Sequence, residues 1–492
     1  MYGAGMPESN VSLLRSLTLT DSTALVVGKV IGTGIFLKAA VMTQQVQAPS
    51  LMLAAWVAAG LLSLAGALTY AELGAMFPQA GGEYVYLRAA YGRLPAFLYG
   101  WTQVAVAQTA IIAALSIACA TFLSVLWPLN GVWASLKFHP FGHEISWQLG
   151  SQQIVAIGLI LLFSGINCAG VAFGGRVQTI LMFAKIAGIG AIVIGVFCFS
   201  KGGTWQHLHT APGQAAWSGV KPFGVAMLAA LWAYNGWNNL PMAAGEVKDP
   251  ARNIPRALIG GMLAVLTVYL LISAAYVFAL PVEQIITSNS TIYPMALPVA
   301  TKAAETFLGG LGSRFISVIF ILSTIATLNG GILTAARVPF AMARDGLFFS
   351  RLSKLSAGSR VPVWAIGTQA LWACVLALSG TFDQLTDFAV FALWLFFALT
   401  TAAVFVLRRK LPAAPRPYRT IGYPLLPLVF LLVAGWLIAN TLQTNPRGSG
   451  AGLALIALGL PLYFYFQRRQ SNVVEPGSES LPVGAKGQDA LP

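Results

Sequence analysis

Charge is what this sequence has least of: Asp, Glu, Lys and Arg make up 9% of its 492 residues, against roughly a quarter in ordinary soluble domains. That scarcity excludes a soluble globular enzyme. Cysteine is nearly as scarce, and Cys119, Cys168, Cys198 and Cys374 all fall inside apolar runs. No disulfide framework or zinc site fits that placement, and the four read as small buried residues. The four histidines, His139, His143, His207 and His209, lie between apolar runs, and neither a zincin helix motif nor a Gly-x-Ser-x-Gly elbow occurs. Metal-assisted and nucleophilic catalysis therefore lack their usual parts. The His139 and His143 pair offers at most a surface metal contact, more simply read as solvated loop histidines. No cofactor and no resident metal is expected, and the N-terminus carries no basic stretch followed by a small-residue cleavage site, so no cleaved signal peptide is expected either.

What the sequence has in quantity is apolar surface, 57% of its residues, in runs of about 20 that recur from end to end. Each is long enough, at 1.5 Å per residue, to cross a hydrocarbon core of about 30 Å. Ten-residue segments of alternating polarity, the mark of a membrane barrel, are absent. An all-α polytopic membrane protein follows, with twelve transmembrane helices placed at about 20–46, 50–76, 94–126, 152–171, 177–200, 220–246, 255–280, 313–343, 362–380, 385–407, 422–443 and 449–467. Residues 1–16 form a short N-terminal segment, 17–200 and 201–410 two five-helix units, 411–470 the last two helices, and 471–492 a Gly-, Pro- and Ser-rich tail expected to be disordered.

The net charge of +14 would suggest nucleic acid in a soluble protein; here its placement makes it a topology signal. With the N-terminus cytoplasmic, 20 of the 29 basic residues fall in inside loops and tails, 7 outside and 2 within spans. Excess basic charge marks the cytoplasmic face of the cell membrane, so both termini are expected there.

Two spans are interrupted. Span 1 reads GKVIGTGIF, with Gly28, Gly32 and Gly34 near its middle, and span 6 reads WAYNGWNN, with Asn235, Gly236, Asn238 and Asn239 ahead of Pro241. These are the first helices of two five-span halves, and breaks at corresponding positions point to an inverted repeat with a site at its interface. A break at membrane depth frees backbone donors and acceptors where no bulk water reaches them. The half-helix that starts after a break offers N–H groups and the positive dipole end to a carboxylate, and the half-helix before it offers carbonyls to an ammonium. A zwitterion fits both. The competing reading of Gly28 and Gly32 is a GxxxG packing face.

These residues resemble the amino acid, polyamine and organocation superfamily, and within it the L-type amino acid transporter family. Beside IGTGIF, the resemblance rests on AELGAMFPQAGGEYVYL at 71–87, GGRVQTILMFAKI at 174–186, WAYNGWNNL at 232–240, GEVKDPARNIPRAL at 245–258, ARVPFAMARDG at 336–346 and RPYRTIGYPLLP at 416–427. It covers nearly the whole chain. The resemblance implies a leucine-transporter-like 5+5 inverted repeat with discontinuous helices 1 and 6, working by alternating access as a sodium-independent exchanger of small or polar neutral L-amino acids. The helix break itself would comprise Gly32, Ile35 and Gly236. It places the substrate carboxylate on the amides of Thr33 and Gly34, the ammonium on carbonyls of Val30, Trp232 and Asn235, and makes Trp232 the gate. Trp232 as mere packing bulk is the plainer alternative. Asn235 would set selectivity, against a reading in which it only satisfies broken backbone. Some relatives use an outside cysteine between spans 3 and 4 to bond a heavy chain; residues 127–151 have none, so a disulfide-linked partner is not expected and the chain is expected to work as a monomer.

Lys185 lies nine residues past Arg176, about 13 Å along a helix and so near the midplane of the bilayer. A lysine there must face the bundle and bind carbonyls or a carboxylate. The resemblance implies that it bonds the broken backbone of span 1, where sodium-coupled relatives hold their ion; the alternatives are a proton carrier and a purely structural lysine. Lys29, just before the break, departs from the family pattern and is left unassigned between two readings, a side chain that snorkels to the cytoplasmic interface, the plainer one, and a side chain that faces a water-filled vestibule. Glu72, near the cytoplasmic end of span 2, is expected to be solvated at the interface, the alternative being a role in proton coupling. Glu246, Lys248, Asp249, Arg252, Arg256, Arg337, Arg344 and Asp345 offer candidates for an inner gate but read individually as solvated loop charges. The rival functions are proton-coupled uptake of an amino acid or polyamine and a channel, which would want rings of carbonyls or charges.

Overall fold

The computed structural model describes residues 12–138, 145–208, 219–379, 382–444 and 446–471. Helix α1 (Leu19–Val30) starts at a capping box in which Thr18 and Asp21 exchange hydrogen bonds, satisfying two of the orphan donors of a helix start. After a break of three residues α2 (Gly34–Val46) continues at an angle of 42°. There follow α3 (Pro49–Met76), the short α4 (Glu83–Tyr91), and α5 (Arg93–Thr102), which runs through a π-turn at Gln103–Ala107 into α6 (Gln108–Leu126). A hairpin of β1 (Val132–Phe138) and β2 (Ile145–Gly150) links these to α7 (Ser151–Ala169) and α8 (Val171–Phe199).

In the second part α9 (Val220–Ala233) gives way to a 3-10 segment at Trp237–Glu246, then come α10 (Pro250–Ala279), α11 (Val282–Ile286), α12 (Val299–Leu308), α13 (Gly312–Ala335) and α14 (Arg337–Arg344). The remainder is α15 (Val363–Ser379), α16 (Phe382–Lys410), α17 (Leu425–Thr444), α18 (Pro446–Ala457) and α19 (Gly459–Ser471). The all-α polytopic expectation holds, with the hairpin as an addition outside the spans. The count of twelve does not carry over directly: among the described residues 9 helices are long and apolar enough to span, or 10 with the bent α1 and α2 taken as one. The shortfall has two physical sources. α15 has 17 residues, just under a full crossing, and the sixth span is divided between α9, of 14 residues, and a 3-10 segment.

The core is built around α1, α3, α8, α10 and α13, with α1 flanked by α8, α10 and α13 and α10 lying along α3. Glu72, expected to be solvated, is instead 1% exposed: Arg408 of α16 grips its carboxylate with two bonds of 2.9 and 2.7 Å, and the Thr420 N–H donates at 2.7 Å. Fold contacts that span 336 residues of sequence bury the charge and supply its partner. The cysteines divide, with Cys119 and Cys374 buried, Cys168 partly so and Cys198 exposed; the reading of Cys198 as buried is therefore corrected, because it sits on the outward face of an apolar helix. His139, His143, His209 and the tail at 472–492 lie outside the described residues.

Candidate functional site

Helix α1 ends where Ile31 leaves helical geometry and the Gly32 N–H folds back onto the Val30 carbonyl at 2.8 Å. Helix α2 then starts at Gly34 with no side-chain cap; the Phe36 N–H bonds the Thr33 carbonyl at 3.2 Å, while the N–H groups at the very start of the helix have no carbonyl of a preceding turn to bond. Helix α9 ends at Ala233, and Gly236 turns at φ +125°, a left-handed conformation open to glycine. Pro241 lies within the 3-10 segment that follows and cannot donate to a regular α-helical ladder. The two breaks face each other closely. A Cβ on Gly34 would stand 2.5 Å from that of Ala233, and one on Gly236 would stand 2.9 Å from Lys29 Cγ and 3.2 Å from the Lys29 carbonyl oxygen.

Between them lies a cavity of about 90 Å³ whose walls include Val30, Thr33, Gly34, Trp232 and Asn235, with Gly32 and Gly236. The residues singled out from sequence are thus brought together, except Ile35, which is buried behind the wall, and Lys185. Trp232 and Asn235 also line a larger cavity of about 340 Å³ with Lys38, Trp394 and Phe430. Trp232 therefore stands where the two spaces meet, its ring 4.5 Å from the Lys38 ammonium. The Asn235 N–H bonds the Trp232 carbonyl at 3.3 Å, while its side-chain amide has no hydrogen bond among the described residues.

Lys185 sits behind the first break. Its ammonium donates to the Gly28 carbonyl at 2.8 Å and to the Ile31 carbonyl. The same oxygens accept from Thr327, at 3.1 Å on Gly28, and from Ser323, at 3.1 Å on Ile31. A lysine and two hydroxyls of α13 thereby satisfy the carbonyls that the break releases. Tyr269 does related work between the breaks: its hydroxyl lies 2.9 Å from both the Val30 and Ala233 carbonyls, and with one proton it donates to one at a time. Sequence reasoning missed Ser323, Thr327 and Tyr269.

Lys29 does not snorkel. It is 6% exposed, lines the small cavity, and its ammonium has no hydrogen-bond partner among the described residues. The fold turns this side chain inward because the Gly236 turn packs against its stem.

On the far side of the break the walls close. Arg337 of α14 donates to Glu246 through two bonds of 2.8 and 2.9 Å, both side chains being wholly buried. Asp345 pairs with Arg88 and accepts from the Tyr84 hydroxyl at 2.7 Å. Leu17 and Val247 form a backbone bridge, and the Gly81 N–H bonds the Met242 carbonyl at 2.8 Å. Glu246 and Arg337 are therefore a buried structural pair, and the reading of these two as solvated loop charges is corrected, whereas Asp345 and Arg88 pair while both stay partly exposed. Glu83 of α4, between two spans, is wholly buried and accepts from Tyr99, from Asn238 at 2.9 Å and from Tyr70 at 3.4 Å. Burial pushes its carboxyl up to about 7, against the opposing pull of these donors. Asn238 also lines the cavity, so Glu83 reaches the second break through a single side chain. His207, the described histidine, contacts the Phe278 carbonyl at 3.1 Å through Nδ1, and no group of three or more His, Cys, Asp or Glu residues suited to a metal occurs among the described residues.

Residues 17–458 match the family described as Amino acid permease. The chain is 33% identical over 470 residues to the serine/threonine exchanger SteT of Bacillus subtilis (strain 168), covering 95% of this chain and 100% of that protein. It is 30% identical to the large neutral amino acids transporter small subunit 2 of Homo sapiens, over 95% of this chain and 83% of that one. The cystine/glutamate transporter of Homo sapiens is 29% identical, over 93% and 86%.

Proposed function

Because the chain belongs to the amino acid permease family, we propose that it is a multi-pass transporter that exchanges small or polar neutral L-amino acids by alternating access, without sodium. The observation that carries this reading is the pair of facing breaks. They enclose one cavity between the uncapped start of α2 and the carbonyl end of α9. The substrate carboxylate takes the N–H groups of Thr33 and Gly34, favoured by the positive end of the α2 dipole. Its ammonium takes the carbonyls of Val30, Trp232 and Asn235. The Val30 carbonyl accepts from the Gly32 N–H and shares the Tyr269 proton with the Ala233 carbonyl, so its second lone pair is open to the ammonium when Tyr269 donates to Ala233; the Trp232 carbonyl takes the ammonium beside its 3.3 Å bond from the Asn235 N–H. Asn235 presents its amide to the substrate side chain.

Trp232 separates the small cavity from the larger one and serves as the gate on that side. The opposite gate is the closure through Glu246 and Arg337, which must part for release. Lys185, fixed on the Gly28 and Ile31 carbonyls, supplies the positive charge that a sodium ion would bring, and this supports transport without sodium. The five-helix units at 17–200 and 201–410 move against each other as inverted repeats around the breaks. The excess of basic residues on one side supports cytoplasmic termini in the cell membrane, and the absence of cysteine from 127–151 supports a chain that works as a monomer without a disulfide-linked partner.

A proton-coupled reading has one specific support, the buried Glu83 carboxyl at about 7 bonded to Asn238 of the second break. Uptake of labelled alanine, serine or threonine into sodium-free proteoliposomes separates the two. Exchange requires unlabelled amino acid inside, whereas coupled uptake proceeds into empty vesicles under an imposed pH gradient. Transport in neither condition overturns both.

A further inference from the structure

The small cavity holds two polar groups that the zwitterion's own amine and carboxylate leave unused. Lys29 reaches its wall from the last turn of α1, and Gln108 from the first turn of α6. Both side chains are more than nine-tenths buried, and neither the Lys29 ammonium nor the Gln108 Oε1 has a hydrogen-bond partner among the described residues. The cavity wall contains no carboxylate. The ammonium instead points toward α13, where a Cβ on Gly331 would lie 2.7 Å from it and 4.0 Å from Ile112 Cγ1. Lys185 is the instructive contrast: equally deep, it binds two carbonyls. A buried ammonium with three unfilled donors is costly unless an anion fills them, and the dipole of α1 alone, negative at this end, offsets only a fraction.

We infer that Lys29 is the specificity residue for the substrate side chain, and that the substrates it selects are acidic amino acids, whose side-chain carboxylate meets the Lys29 ammonium beside the Gln108 amide. The inference rests on the reading that the paired breaks bind an amino acid, and it adds a substrate class to the small polar ones that Asn235 serves. With the substrate's main-chain carboxylate on the start of α2, the side chain runs from the break toward α13. There it supplies the acceptors that Lys29 lacks. The amide of Gln108, free to present either end, donates to the second carboxylate oxygen. Uncharged asparagine and glutamine match aspartate and glutamate in shape, so the preference of acid over amide isolates the charge that Lys29 reads.

The test is counterflow of labelled L-serine in proteoliposomes, inhibited by external aspartate, glutamate, asparagine or glutamine, in the wild type, Lys29→Met and Lys29→Arg. The wild type is expected to be inhibited at least tenfold more strongly by one of the acids than by its amide. That ratio falls to about one in Lys29→Met, at whatever rate the variant retains, and returns in part in Lys29→Arg. Equal inhibition by acid and amide in the wild type, or an unchanged ratio in Lys29→Met, overturns the inference while leaving serine exchange intact. Absence of exchange with serine and with labelled aspartate alike overturns the underlying reading instead. Thermal stability of the detergent-solubilised wild type asks the same question without a variant: aspartate or glutamate is expected to raise the melting temperature above that reached with the matching amide, and equal shifts count against the inference.

Discussion

Replacing Lys185 by Met separates what this residue does for stability from what it does for transport. The substitution removes two charge-assisted hydrogen bonds, to the Gly28 and Ile31 carbonyls, each worth about 1.5–3 kcal/mol. Both carbonyls keep a hydroxyl donor, Thr327 on Gly28 and Ser323 on Ile31, so neither is left bare. Against the loss stands the relief of about 2.5–3.5 kcal/mol for no longer holding an ammonium at the bilayer centre. The net change in stability is therefore small, about 0–3 kcal/mol. Transport has less compensation, because the other hydrogen bonds from α8 to α1, Gln178 to the Ala24 carbonyl and Thr179 to Asp21, lie farther back from the break, and Lys185 is the α8 side chain that bonds the carbonyls at the break itself. Loss of about 3 kcal/mol of that tether lowers the population of the competent break by about two orders of magnitude. Thermal unfolding in micelles and serine counterflow in proteoliposomes measure the two effects on one preparation. A Lys185→Met protein with wild-type exchange would refute the reasoning, as would one whose loss of exchange is matched by wholesale unfolding.

Glu246→Leu alone strands Arg337 in a buried site and is expected to cost about 3–5 kcal/mol, while Glu246→Leu with Arg337→Met restores most of it; an equal loss in both, read as melting temperature, would contradict the buried pair. Trp232→Ala joins the two cavities and is expected to raise the serine concentration for half-maximal exchange about tenfold or more, with little change in melting temperature. Asn235→Asp is expected to shift inhibition of serine counterflow toward lysine and arginine, and an unchanged inhibitor profile would return Asn235 to a backbone role. Because Glu83 keeps a proton in the folded protein up to about 7, above its ordinary value of 4.5, its contribution favours folding at low pH and is lost as pH rises through that window. The slope amounts to about 3 kcal/mol at most, and Glu83→Gln is expected to flatten it in melting curves taken across about pH 4.5 to 7.5.

The breaks are legible in the sequence because glycines, which alone would also suit helix packing, recur with asparagines and a proline at corresponding positions of two spans, and Lys185 because its depth demands partners. Those partners are not. Ser323, Thr327 and Tyr269 are ordinary residues of long helices, and which face they turn to the break depends on how α10 and α13 pack. Glu72 with Arg408, and Glu246 with Arg337, are joined across 336 and 91 residues, distances at which a single sequence offers no pairing signal. Lys29 escapes the sequence because snorkelling assumes a free path to the interface, which the Gly236 turn blocks. The hairpin leaves a short trace, the alternation of Ala134, Leu136 and Phe138 with Ser135 and Lys137, which Trp133 interrupts at its start. The interruption of the sixth span is readable from Asn235, Gly236 and Pro241, yet the 3-10 form of its second half depends on the Gly236 turn and its packing.

The most direct test of the central claim is a cryo-electron microscopy map of the nanodisc-embedded protein with L-serine. The account predicts density between the two breaks, its carboxylate end against the N–H groups of Thr33 and Gly34 and its amine end toward the carbonyls of Val30 and Trp232. Density confined to the larger cavity beyond Trp232, with the space between the breaks empty, would contradict it.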